Sequence, residues 1–201
     1  MNEAHDQAVQ VSTGTTIERF RISTMGSGDG LDTVAVAELV NTVYAVAEDG
    51  MWADGCTRTN PSEIAEMALS GQLVGAWQGD HLVGCIRVVC PAEGAGENTA
   101  EFGMLAAAPQ FRGLGVGREL VRFVEEQCAA AGCETMQLEV IRPRDTPLSS
   151  KDFLARWYTQ LGYRLAATGP VGTPHPELVE SLVVPCEVDT YRKVLRPERE
   201  K

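Results

Sequence analysis

Apolar residues recur along this chain with two periods, and the switches between those periods outline its elements. Residues 17–23 read as a first strand. Val36, Leu39, Val40, Val43 and Ala47 then fall at helical spacing within 34–47, behind an Asp32 placed to cap the first turn. A loop covers 48–60. Pro61-Ser-Glu-Ile-Ala-Glu-Met-Ala-Leu opens a short second helix, with Pro61 in the first turn and Gly71 past the end. Residues 73–78, 82–90 and 99–106 read as three strands. Gly79-Asp80 signals a tight turn between the first two, and the Gly- and Ala-rich stretch 91–98 a loop before the third. A helix is predicted over 116–131, with Leu120, Val121, Val124 and Cys128 on one face, stopped by Gly132. Residues 135–141 form a fifth strand. Ser149-Ser-Lys-Asp152 has the spacing of a capping box and opens a helix that Gly162 ends. Residues 163–167 and 188–195 are the last strands, separated by a Pro- and Gly-rich stretch. The order β-α-α-β-β-β-α-β-α-β-β describes a mixed α/β fold, a sheet with helices packed against it.

Length and charge narrow the function. A chain of 201 residues with 44% hydrophobic content fits one domain, 17–201, behind a polar stretch 1–16 that reads as disordered. That stretch holds no signal-peptide apolar block, and no run is long enough to span a bilayer, so a cytoplasmic location is expected. A net charge of −11 argues against nucleic acid or an anionic membrane as partner. The six cysteines (56, 85, 90, 128, 133, 186) include no C-x-x-C pair and the three histidines lie far apart. Reduced, mostly buried thiols are expected and no metal is assigned, a zinc site being open only to coincidence of fold.

The most informative segment is Pro109-Gln-Phe-Arg-Gly-Leu-Gly-Val-Gly117, which runs straight into a helix. Glycines let backbone N–H groups approach a ligand, and a helix start leaves N–H groups unpaired at the positive end of its dipole. With Arg112 and Arg118 at the rim, the segment has the makings of a phosphate cradle. A nucleotide-triphosphate loop is excluded because Arg-Glu, not Lys-Ser/Thr, follows Gly117. A dinucleotide turn fits poorly, since four residues separate strand from first glycine and Arg118 or Leu120 occupies the third-glycine position. Taken alone, the loop also fits a glycine-rich connection that binds nothing.

Its neighbours carry a resemblance. Gln110-x-Arg-Gly-x-Gly-x-Gly, after the strand Ala100-Glu-Phe-Gly-Met-Leu-Ala, resembles motif A of the GNAT superfamily of acyl-CoA-dependent N-acyltransferases. Ala155-Arg-Trp-Tyr-Thr-Gln-Leu-Gly-Tyr163 is similar to that superfamily's second signature. The resemblance implies a twisted, mostly antiparallel sheet with a parallel splay between its fourth and fifth strands, and four helices. It implies acetyl-CoA as acyl donor, held by Gln110, Arg112, Gly113, Leu114, Gly115, Val116, Gly117, Arg118 and Ser149, with the backbone of Met104, Leu105 and Ala106 along the pantetheine arm. It further implies Glu101, sharing a strand face with Gly103 and Leu105, as general base, and Tyr158 as the acid that protonates the departing thiolate. An unperturbed carboxylate near 4.3 is a poor base for an ammonium near 10, so burial or a water relay must help Glu101.

In that fold the loop between the first two helices and the segment before the last strand wall the acceptor pocket. Here they offer Glu48, Asp49, Trp52 and Asp54 on one side and His175 on the other. The acids and the indole suit a cationic amine, whereas Arg58 suits an acceptor bearing a carboxylate. The expected reaction is direct attack by a primary amine, of a small molecule, in a ternary complex, with Cys186 as packing and not a nucleophile. A silent acyl-CoA sensor or a protein N-acetyltransferase is the alternative. A homodimer is allowed.

Overall fold

The computed structural model describes residues 20–26, 30–91 and 98–195. The polar N-terminal stretch and the first residues of the expected first strand lie outside them. Strand β1 (Arg21–Thr24) leads into helices α1 (Thr33–Ala47) and α2 (Pro61–Leu69), then strands β2 (Leu73–Gln78), β3 (His81–Val89) and β4 (Thr99–Ala107). Helix α3 (Val116–Ala130), strand β5 (Thr135–Pro143), helix α4 (Ser149–Gln160), and strands β6 (Arg164–Pro170) and β7 (Cys186–Val194) complete the order expected from the pattern.

Local chemistry sets most boundaries. Asp32 accepts a hydrogen bond from Ala35 N–H at 3.0 Å, and Asn60 caps α2 through Ser62 and Glu63 N–H, with Pro61 behind it. Gly132 and Gly162, at φ +101° and +96°, close α3 and α4 with the same turn. In each, the next N–H reaches back over the helix end, Cys133 to Cys128 O (2.9 Å) and Tyr163 to Tyr158 O (3.0 Å). The expected capping box is corrected. Leu148 stands at the N-cap of α4 without a side-chain bond, because Ser150 Oγ donates instead to Ala47 O and Lys151 Nζ to Glu48 Oε1. Tertiary partners from the end of α1 fix this helix start.

The seven strands form one sheet in the order β1-β2-β3-β4-β5-β7-β6, antiparallel except for β4 and β5. One core packs α3 and α4 on one face, around Phe102, Leu120, Val124, Tyr158 and Tyr163. A second packs α1 and α2 on the other, around Val36, Val40, Ile64, Leu73 and Cys85. Two irregularities interrupt the middle of the sheet. The parallel rungs run only from Thr99–Glu101 to Thr135–Gln137, although both strands continue well beyond them. And the β3–β4 register passes from Arg87↔Gly103 to Cys85↔Ala106, leaving Met104 and Leu105 opposite Ile86 alone. That bulge puts Met104 at φ +49°, a left-handed conformation that a side chain adopts at a cost of about 1–3 kcal/mol. It also corrects the expected alternation. Met104 and Ala106 pack on the α1/α2 side, and Leu105 turns to the α3/α4 core, away from the face of Glu101 and Gly103.

All six cysteines are free, but only Cys85, Cys128 and Cys133 are buried; Cys56 and Cys90 are exposed and Cys186 is intermediate, correcting the expectation of mostly buried thiols. No helix among the described residues is long and apolar enough to cross a membrane.

Candidate active site

The glycine turn joins β4 to α3 at the open end of the sheet. Gly113 and Gly115 have φ of +78° and +94°, and a Cβ at either would meet nothing within 4 Å, so conformation and open space, not crowding, describe these positions. Gly117 differs: it lies inside the helix, where its Cβ would meet the Trp157 ring at 3.5 Å. The first α-helical bond of α3 runs from Glu119 N–H to Gly115 O at 3.0 Å, so the N–H groups of Val116, Gly117 and Arg118 lie ahead of it. Val116 is buried and anchors the turn, while Leu114, Arg112 and Arg118 are exposed. Arg112 stands 5.8 Å from the Phe153 ring on α4, so its charge stays between the two helices. Ser149 is the exposed first residue of α4. Gln110 lies on the other side of the turn, lining an open cleft of about 810 Å³ with Arg21, Asp32, Trp77 and His81. The donors, the cations and the space over Gly113 and Gly115 fit a phosphate-bearing group.

Next to this turn, the parted strands open a gap in the sheet. Glu101, exposed, sits on the last rung before the gap and accepts from Gln137 Nε2 at 3.2 Å. Tyr158 approaches from α4. Its ring packs against Phe102, Trp157, Tyr163 and Tyr191 with centroids 5.0–6.2 Å apart. Its hydroxyl takes part in no hydrogen bond among the described residues, whereas the hydroxyl of Tyr163, also a core residue, donates to Glu125 Oε1 at 2.6 Å. Burial pushes the Tyr158 phenol far above its ordinary value, and the neighbouring Tyr44 pushes it further. Tyr44 belongs to α1, on the other face of the sheet, so the two phenols couple from opposite sides. Tyr44 is itself raised by burial, to about 12, against the lowering effect of Arg58. The proton on Tyr158 is therefore held throughout the neutral range.

The first of the segments expected to wall an acceptor meets the chain just before β7, beyond the expected stretch 173–177. Ala53 N–H donates to Ser181 O and Val183 N–H to Met51 O, and Met51 is buried with Ile141, Val171 and Val188. Cys186 packs against this cluster. Asn41 orders the rest of the loop, its Oδ1 accepting from Arg58 and Thr59 N–H and its Nδ2 donating to Thr59 O. The chemistry of the loop is not the expected one. Glu48 is buried, paired with Lys151 Nζ at 2.6 Å and bonded by Trp52 Nε1 at 2.7 Å, so its charge is already neutralised. The Trp52 ring, assigned to an incoming cation, is taken by Arg58, which lies 5.5 Å from it and 5.1 Å from the Tyr44 ring. Asp49 and Asp54 are exposed. His175 bonds Glu139 on β5 at 2.6 Å. Among the described residues Arg58 has no carboxylate within ion-pair distance, which leaves a half-buried cation held by two aromatic rings.

Three of these features escaped the sequence. The Met104 bulge has no signal in Gly-Met-Leu-Ala, which alternates acceptably. Tyr44 is not among the positions that the helical spacing of α1 singles out. In the sequence Lys151 falls inside the capping-box spacing, and only its distance in the chain from the acidic loop hides its partner Glu48.

Comparison with known proteins bears on this arrangement. Residues 38–163 match the acetyltransferase (GNAT) family. The chain superposes on an aminoglycoside 6'-N-acetyltransferase complexed with coenzyme A with a TM-score of 0.62 and 18% identity, covering 90% of this chain and 99% of that one. It superposes on the ribosomal-protein-S18-alanine N-acetyltransferase of Escherichia coli with a TM-score of 0.59 and 14% identity, covering 90% and 97%. With N-acetylglutamate synthase of Neisseria gonorrhoeae, complexed with coenzyme A and N-acetyl-glutamate, the TM-score is 0.59 at 16% identity, covering 89% of this chain and 35% of that one. No curated protein sequence matches.

Proposed function

The chain belongs to the acetyltransferase (GNAT) family, and from that premise we propose that it acetylates the primary amine of a small molecule that also carries an anionic group, by direct attack in a ternary complex. The single observation that carries the catalytic part is the opening in the sheet, where the β4/β5 rungs stop at Glu101 and Met104 is held at φ +49°. Acetyl-CoA supplies an activated acyl thioester when bound. The backbone of residues 112–117 with Arg112 and Arg118 binds its diphosphate, Gln110, Leu114 and Ser149 flank that region, and Met104, Leu105 and Ala106 line the arm. The two bulge residues have no rung of their own to β3, so one of their N–H groups serves as a carbonyl donor, a role worth about 3 kcal/mol. Tyr158 keeps its proton and acts as a donor. Glu101 takes the proton of the amine through water, which suits an exposed carboxylate.

Arg58 supports the acceptor class. With Glu48 neutralised and the face of Trp52 covered, the cation left on this wall is a guanidinium that suits a carboxylate or phosphate. Asp49, Asp54 and His175 remain candidates at the rim.

The test is a mass-spectrometric screen of purified protein with acetyl-CoA and pooled amines: amino acids, polyamines, aminoglycosides and peptides. Acetylated amino acids or other anion-bearing amines are expected. Products confined to polyamines would refute the reading of Arg58. Binding of acetyl-CoA with no product from any pool would favour a silent sensor.

A further inference from the structure

The opposite end of the sheet holds a second constellation. Cys90 follows β3, Cys128 lies in the last turns of α3, and Cys133 follows Gly132. Their sulfurs all lie within 4.8 Å of one another, the only such group of three metal-ligating side chains among the described residues. In sequence these residues are spaced 38 and 5 apart, and no ligand motif is legible. The fold creates the cluster. The turn that ends α3, with Gly132 at φ +101° and Cys133 N–H bonded to Cys128 O at 2.9 Å, puts the last two thiols side by side. Strand β3 delivers the third. Cys128 and Cys133 are buried, and Cys90 is exposed, which leaves one open side.

We propose that Cys90, Cys128 and Cys133 bind one thiophilic divalent cation of the zinc class, with a water at the fourth position on the open side. In a tetrahedral site with Zn–S near 2.3 Å the sulfurs stand about 3.8 Å apart, so closure needs a contraction of about 1 Å at most. A contraction of that size is within reach of side-chain rotation once the backbone is already set. Charge selects the valence. Three thiolates with a divalent ion leave one net negative charge, and with a monovalent ion two, a costly burden where two of the sulfurs face an apolar core. Three S–H bonds break and three metal–sulfur bonds form, the protons passing to solvent, with no change of oxidation state. The site lies at the C-terminal end of α3, whose N-terminus carries the glycine turn, and it shares no residue with the acyl-transfer site.

The test titrates reduced, chelator-stripped full-length protein with Co²⁺ under anaerobic conditions and then displaces it with Zn²⁺. A thiolate-to-cobalt charge-transfer band should saturate at one metal per chain and bleach on addition of one Zn²⁺. Cys90→Ser, at an exposed position that leaves the core intact, should weaken Zn²⁺ binding by more than the roughly 10- to 100-fold that loss of an outer-shell partner costs. Cys133→Ser should do the same, and Cys56→Ser should change nothing. Circular dichroism of each variant separates loss of a ligand from loss of the fold. Absence of a saturable band, or equal affinity in Cys90→Ser and the parent, would overturn the proposal.

Discussion

Removing the ammonium of Lys151 tests how the two sides of the site are joined. Lys151 and Glu48 are both buried, 6% and 4% exposed at their side chains, and sit 2.6 Å apart. Burial lowers the Lys151 pKa, with the Glu48 charge acting against it, and a buried ion pair of this kind is weak evidence for stability. Breaking it is another matter. Lys151→Met leaves a buried carboxylate with the Trp52 N–H as its remaining hydrogen-bond donor, a loss of about 3–5 kcal/mol. For a chain of this size each kcal/mol lowers Tm by about 2–4 °C, so a fall of about 6–20 °C is expected in a thermal melt. Glu48→Gln keeps an acceptor for Trp52 and removes the charge. The double variant should therefore recover about 1–3 kcal/mol relative to Lys151→Met, the coupling expected of residues in contact. Urea denaturation of the four proteins supplies the cycle. A Lys151→Met variant within about 1 kcal/mol of the parent, or a double variant at the sum of the two losses, would refute the argument that an orphaned charge is what costs.

Further expectations concern the proposed chemistry and the tyrosines. Gly115→Asp puts a carboxylate at a residue with φ +94° in the anion cradle, and calorimetry should find acetyl-CoA binding abolished; retained affinity would move the cradle elsewhere. Tyr158→Phe should lower kcat by about 10²–10⁴-fold, the range for a positioned acid, while the Kd for acetyl-CoA changes little. Arg58→Gln should raise KM for an anion-bearing amine far more than it lowers kcat, as read from steady-state rates. The phenols of Tyr158 and Tyr163 are both raised, by burial first, so above about pH 10 the unfolded chain loses these protons before the folded one. Stability should then fall with rising pH by about 1.4 kcal/mol per unit for each, a slope that Tyr158→Phe reduces in denaturation curves measured across that window.

The element order was legible because it depends on local signals. Asp32 caps, Pro61 starts, and Gly132 and Gly162 stop their helices through bonds that span a few residues. The motif positions were legible for a related reason: a turn between strand and helix is itself local, and Gly113 and Gly115 adopt the conformations that glycine alone favours. What could not be read depends on partners distant in the chain. The start of α4 is set by Glu48 and Ala47, each about a hundred residues away, so Ser149 and Asp152 had no capping work to do. The face of Leu105 depends on the β3 register, and a single-residue slip reverses every side chain beyond it.

The acceptor wall shows why charge counted along a sequence is a poor guide to charge in a site. The loop carries Glu48, Asp49 and Asp54, which reads as a cation receptor. Folding brings Lys151 onto Glu48 and the aromatic rings onto Arg58, so one of the three carboxylates is neutralised and the loop's cation is held against two rings, while Asp49 and Asp54 stay exposed. The Glu48 carboxylate then has a different task. It joins the C-terminal end of α1 to the first turn of α4, the helix that carries Tyr158 in its last turn, so one buried pair ties together two helices from opposite faces of the sheet. A substitution at Lys151 that perturbs turnover would act through the placement of α4, and recovery in the Glu48→Gln double variant separates positioning from chemistry.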